Sequence, residues 1–194
     1  MKTVILHDWL TGFRGGERVL EALCEMYPEA PIYTLIHRKG SSSPLIEPKV
    51  IHTSFLDKIP GIYKHYRKFL PLMPLAVELM KIPEDTELII SSSHCVIKGI
   101  KKPKSAKHFC YIHSPMRYMY DQFENYFRNS PLHIKLSAWF FKPFLRFWDK
   151  QSNKNVDHFL PNSSNFLANH ECTILFSILL LHIRMETILI GIEI

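Results

Sequence analysis

Apolar positions in this chain fall into short continuous runs that alternate with stretches of helical spacing. Val4-Ile5-Leu6 and Trp9-Leu10 form the first run, which breaks into Thr11-Gly12-Phe13-Arg14-Gly15-Gly16-Glu17-Arg18. Val19, Leu20, Leu23 and Tyr27 then repeat at helical intervals, and Pro28 follows. The pattern predicts a strand, a glycine loop and a helix over 17–27. Residues 31–37 read as a second strand, 41–44 as a loop and 50–52 as a short strand. The segment 60–83 is punctuated by proline, and Pro71 and Pro74 forbid one continuous helix, so two short ones are expected. Buried strands are predicted over 87–93 and 108–113, and helices over 116–127 and 132–150, the second kinked or divided at Pro143. Residues 156–160 give a last strand, ending at Pro161-Asn162-Ser163-Ser164.

Short apolar strands alternating with helices imply an α/β fold, a Rossmann-like, doubly wound and mainly parallel sheet. In such sheets ligands bind outside the carboxyl ends of the strands. Here those ends are 12–18, 91–94, 113–117 and 162–165, all polar. In the first of them the glycines let backbone approach a ligand, and the positive end of the following helix favours an anion such as phosphate or carboxylate. Gly12-x-x-Gly15-Gly16 is neither the dinucleotide fingerprint nor a Walker A loop, so a plain strand-to-helix turn fits the local pattern equally well.

The chain has 194 residues, 46% hydrophobic and 22% charged, which suits one globular domain with a substantial core. Its net charge of +6 is concentrated in 64–68, 98–107 and 142–154. Such clusters serve nucleic acid, anionic lipid, phosphorylated substrates or simply a solvated face, and charge alone does not select among them. Around 62–80, Lys64, Arg67 and Lys68 are interleaved with Tyr63, Tyr66 and Phe69. That mixture suits an anionic membrane surface or single-stranded nucleic acid, as well as a helix packed by its aromatics on the core. Cys24, Cys95, Cys110 and Cys172 are scattered with no C-x-x-C pair, which argues for free thiols in a reducing compartment. The N-terminus turns polar too early for a secretory signal, so cytoplasmic residence is expected.

Among candidate chemistries, His108-x-Cys110-x-x-His113 carries zinc-ligand types, but on a strand 108 and 110 face opposite to 113 and no second cluster completes the set. No metal site is assigned. A serine hydrolase lacks its G-x-S-x-G elbow, and Ser91-Ser92-Ser93-His94 reads as readily as a strand-end turn and cap. His113-Ser114-Pro115-x-Arg117-Tyr118 is more specific. It follows a buried strand and pairs an imidazole for hydroxyl groups with a guanidinium for phosphate or carboxylate.

Several motifs in order, namely Leu6-His7-Asp8-Trp9-Leu10, Gly15-Gly16-Glu17-Arg18-Val19, Ser91-Ser92-Ser93-His94 through Lys98-Gly99, Tyr111-Ile112-His113-Ser114-Pro115-Met116-Arg117-Tyr118 and Asp121, resemble the N-terminal half of family 4 glycosyltransferases. The similarity is greatest to bacterial mannosyltransferase-like members that build surface polysaccharide, and it covers about residues 1–168. It implies a GT-B architecture, two Rossmann-like domains facing across a cleft, with the acceptor held chiefly by the N-terminal one. It further implies retaining hexosyl, notably mannosyl, transfer from a nucleotide-sugar to a saccharide or lipid-linked acceptor. The nucleotide-sugar is a substrate, and no cofactor or metal is expected. Carried onto this chain, His113 would line the sugar site as the catalytic candidate. Gly15, Gly16, Arg18, Ser93, His94, Lys98, Arg117 and Asp121 would contact the donor phosphates or the acceptor. Lys64, Arg67 and Lys68 remain the membrane-surface candidates, for peripheral attachment at the inner face of the plasma membrane.

The resemblance ends near Asn169, and 169–194 form an atypical hydrophobic tail whose longest apolar stretch, 174–181, falls short of the roughly 20 residues that span a bilayer. The expectation is a reading frame altered near 169, leaving the first half of such an enzyme, incomplete and inactive without a C-terminal domain for the donor. The alternative is a non-catalytic Rossmann-like module that binds a phosphorylated or lipid-linked ligand. Nucleic-acid binding has only the basic charge behind it.

Overall fold

The computed structural model describes residues 1–113, 128 and 131–161. Six strands form one parallel sheet: β1 (Thr3–His7), β2 (Ile32–Thr34), β3 (Ile51–Thr53), β4 (Leu88–Ser93), β5 (Lys107–Ile112) and β6 (His158–Pro161). Their spatial order is β3-β2-β1-β4-β5-β6, the doubly wound order in which the chain steps outward from β1 to one edge and restarts on its other side at β4. The carboxyl ends of β1 and β4 therefore diverge into a crevice. The α/β, parallel, Rossmann-like class expected from the sequence is the one observed.

The inner strands β1, β2 and β4 lack inside-outside alternation because both their faces are covered. Along β1, Val4 and Leu6 pack on one side with Trp9, Met73, Val77 and Leu145, while Ile5 packs on the other with Leu20, Leu23, Ile90 and Phe109. The second face belongs to helix α1 (Gly15–Met26), whose Val19, Leu20 and Leu23 are the stripe read from the sequence. The first face takes α2 (Ile62–His65), α3 (Met73–Leu79) and α4 (Leu132–Ser152).

Element boundaries differ from the expected ones for identifiable reasons. The strand expected over 31–37 pairs regularly only through Thr34, and then continues as a single bridge, Leu10 opposite His37, with Leu10 N–H donating to the Ile36 carbonyl at 2.8 Å. The proline-rich segment breaks as expected, but between its two short helices it is tight 3-10 helix, Tyr66–Leu72, with Pro71 inside and Pro74 in the first turn of α3. Pro143 does not divide α4, which runs unbroken for 21 residues. Pro143 and Trp139 both lie on the exposed side of that helix, where a carbonyl that loses its N–H donor to proline is open to solvent and costs little. The expected helix over 116–127 and the tail over 169–194 lie outside the described residues.

Candidate active site at the crevice between the first and fourth strands

The polar residues after β1 and β4 are joined through one carboxylate. Asp8 is fully buried, and its Oδ2 accepts the backbone N–H groups of His94 at 2.7 Å and Cys95 at 2.9 Å. Its Oδ1 accepts those of Val96 and Ile97, both at 2.9 Å, and the Ser93 hydroxyl donates to Oδ2 at 3.2 Å. Burial by itself would raise the Asp8 carboxyl, but the His94 ring and these amides outweigh it and hold it below the usual aspartate range. The amide nest at the end of β4 is thus filled from within the chain.

The three serines of β4 are all buried, and each has a partner. Ser91 Oγ lies 2.9 Å from His108 Nε2, Ser92 Oγ lies 2.8 Å from His113 Nε2, and Ser93 serves Asp8. His108 Nδ1 also sits 2.9 Å from the Asn155 carbonyl, and burial pushes its pKa down to about 4. Cys110, further along β5, is buried with its thiol pushed up to about 12. These two are interior groups of the sheet.

Above Asp8 a cavity of about 180 Å³ is lined by His7, Trp9, Gly16, Glu17, His94 and His113, with Thr11 and Arg14 at its side. The ring of His94 stands 6.3 Å from those of both His7 and His113, and meets the Trp9 ring edge-on at 4.5 Å. His7 is completely buried and neither of its ring nitrogens has a hydrogen-bond partner; Nε2 is 4.0 Å from Glu17 Oε1, beyond bonding distance. Glu17 reaches back to accept the Arg14 N–H at 2.8 Å, closing the first turn of α1. Burial would raise Glu17, but His7 and the backbone amides hold it below its ordinary value, so it is ionised. Burial and the neighbouring His7 and His94 push His113 down to about 3, and burial also lowers His94. At neutral pH His94 and His113 are uncharged imidazoles, each able to donate and accept a hydrogen bond.

Of the residues singled out from the sequence, the fold brings Gly16, His94 and His113 to this cavity. A Cβ on Gly16 would lie 3.6 Å from His7 Cε1 and 3.8 Å from His113 Nε2, so the bare backbone there keeps the cavity open. Gly15 and Arg18 are exposed and do not line it, and Ser93 lies beneath it on Asp8. Lys98 is placed elsewhere: it is buried, with Nζ 2.7 Å from Asp149 Oδ1 and 2.6 Å from Asn153 Oδ1, tying the end of α4 to the turn after β4. Lys64, Arg67 and Lys68 are exposed, and Arg67 covers the Tyr66 ring at 5.6 Å. Arg117 and Asp121 lie outside the described residues. His7, Trp9 and Glu17, which line the cavity, and Asp8 beneath it were not among the expected site residues. The available signal was three consecutive residues with polar or ring nitrogen groups directly after an apolar strand.

A second cavity, about 370 Å³, opens between the β2–β3 edge and α3 beside His52, Phe55 and Leu79. It lacks a comparable convergence of ionisable groups. The chain matches no protein-family model, no curated protein and no solved structure.

Proposed function

We propose that the crevice cavity receives a hydroxyl-rich, sugar-like group, and that this chain is the acceptor-side domain of a retaining hexosyltransferase. The observation that carries the reading is His7, buried with both ring nitrogens unpartnered beside the ionised Glu17 and the uncharged His113. A carboxylate accepts from sugar hydroxyls, neutral imidazoles both accept and donate, and Trp9 offers an apolar ring to a sugar face. A free phosphate would meet the Glu17 charge at close range, so the helix N-terminus alone does not make this a phosphate cradle. The cavity is smaller than the roughly 300–1,000 Å³ of pockets that hold a whole ligand, and it suits one ring of a larger substrate.

The motif resemblance supplies the reaction class. In that reading His113 borders the reacting sugar, where a fixed uncharged dipole stabilises developing charge without giving up a proton. The nucleotide-sugar is the donor, and a second domain would hold its nucleotide.

The test is sugar transfer from GDP-mannose and UDP-sugars by this chain and by the chain joined to a homologous C-terminal domain. Saturation-transfer NMR with methyl mannoside and phosphorus NMR line broadening with pyrophosphate, both on the chain alone, run alongside it. Transfer by the joined protein, together with sugar binding that disappears in Glu17→Gln and His113→Ala, supports the proposal. Pyrophosphate binding without sugar binding or transfer overturns it in favour of a phosphate-binding module.

A further inference from the structure

Helix α4 carries two apolar stripes, and among the described residues only one of them packs on the core. At about 100° per residue, Ala138, Phe141, Leu145 and Trp148 form one line that packs on the core. Leu132, Leu136, Trp139, Phe140, Phe144 and Phe147 form a second line, displaced around the helix, and each is between 49% and 72% exposed. Isolated exposed apolar residues are ordinary, but six at consecutive helical intervals make a continuous strip along a 21-residue helix.

The charged residues that α4 itself places beside that strip are all basic, and the one carboxylate among the described residues that meets the helix from outside, Glu78 on the Trp148 indole at 2.8 Å, is paired with Lys101. Lys135, Lys142, Arg146 and Lys150 run along one edge of it. Asp149, the only carboxylate of the helix, faces inward to Lys98 at 2.7 Å. The Tyr66–Leu72 segment, with Arg67 and Lys68 exposed, packs against the same helix.

We infer that the outer face of α4 lies in the interface of an anionic lipid bilayer, parallel to the membrane plane, with its aromatic strip in the acyl boundary and its basic edge among the headgroups. An amphipathic helix rich in Phe, Trp and Leu, flanked by Lys and Arg, is the form such contacts take. No helix among the described residues is long and apolar enough to cross a membrane. A second copy of the chain would bring cations to cations with no carboxylate from this helix between them, and a nucleic acid would leave Leu132 and Leu136 without a use. Membrane contact by α4 does not depend on sugar binding in the crevice.

Trp139 makes the contact directly testable, because it is 69% exposed while Trp9 and Trp148 are 9% and 8% exposed. The full chain is mixed with vesicles of phosphatidylcholine alone or with phosphatidylglycerol added. Cosedimentation with the anionic vesicles, a blue shift of tryptophan emission and quenching by brominated acyl chains are expected, the last two being absent in Trp139→Phe. Phe140→Ser with Phe144→Ser should weaken partitioning at least about tenfold. Lys142→Gln, Arg146→Gln and Lys150→Gln should each weaken it roughly fivefold, with loss at high salt. Failure of the wild-type chain to bind overturns the inference, as does unquenched Trp139 in bound protein or a self-associated form that disappears with the two phenylalanines. Equal binding to RNA that competes with vesicles does so too. Because quenching is read on the unmodified chain, it decides the matter even if a variant fails to fold.

Discussion

Asp8 and His94 meet twice: the carboxylate Oδ2 accepts the His94 backbone N–H at 2.7 Å and stands 3.4 Å from Nδ1 of the same residue's ring. One buried carboxylate at the end of β1 therefore fixes both the path of the chain after β4 and the ring that walls the cavity. Asp8→Ala would strand the amides of residues 94–97 in the interior. It should cost about 3–5 kcal/mol in urea unfolding, with Asp8→Asn, which keeps an acceptor oxygen, costing less. Because the folded carboxyl is held below its unfolded value, the stabilisation is complete above about pH 4 and is lost as pH falls further. The gap between wild type and Asp8→Ala should narrow over that acid range, and a gap independent of pH there would contradict the assignment.

His108 and His113 predict a second loss of stability that begins at higher pH. Their folded values, about 4 and about 3, lie below the unfolded value near 6.5, so folding excludes protons that the unfolded chain binds. The stabilisation is present in full above about pH 6.5 and is lost as pH falls toward those values, at up to about 1.4 kcal/mol per pH unit for each ring. Thermal unfolding followed from pH 7 to pH 4.5 should show the decline. NMR of the His113 ring should show no titration between pH 5 and 8.

Lys98 is expected to act on stability rather than on ligand. Lys98→Met takes the 2.7 Å cation away from the buried Asp149 and should cost about 3–5 kcal/mol, whereas adding Asp149→Leu should recover much of the loss. Sugar affinity of the folded Lys98→Met fraction, measured below its unfolding temperature, should match wild type.

Two glycines separate space from function. A Cβ on Gly99 would fall 2.5 Å from Trp148 Cη2 and 2.8 Å from Ser152 Cβ, so Gly99→Ala should destabilise by about 1–3 kcal/mol by forcing α4 outward. A Cβ on Gly16 finds only ordinary contacts, so Gly16→Ala should unfold like wild type while reducing sugar binding, and Gly16→Val should abolish it. Calorimetric Tm values and saturation-transfer intensities measured side by side check both.

The sequence by itself determined the class of fold, the order of strands and helices and the polar strand ends. These follow from local spacing: apolar runs such as Val4-Ile5-Leu6 must be buried on both faces, and the stripe through Val19, Leu20 and Leu23 must cover one of them. His113, His94 and Gly16 were legible as site candidates because each stands just past a strand or opens a helix. Only the tertiary structure decided which polar groups are spent on one another. Asp8 and Ser93 lie 85 residues apart, and Lys98 and Asp149 lie 51 apart, so no periodicity links them, yet these pairings withdraw Ser93 and Lys98 from the cavity. The two stripes of α4 likewise overlap into one apolar stretch when read linearly. Which of them faces the core, and which is left to meet another surface, depends on the packing partner and not on the spacing.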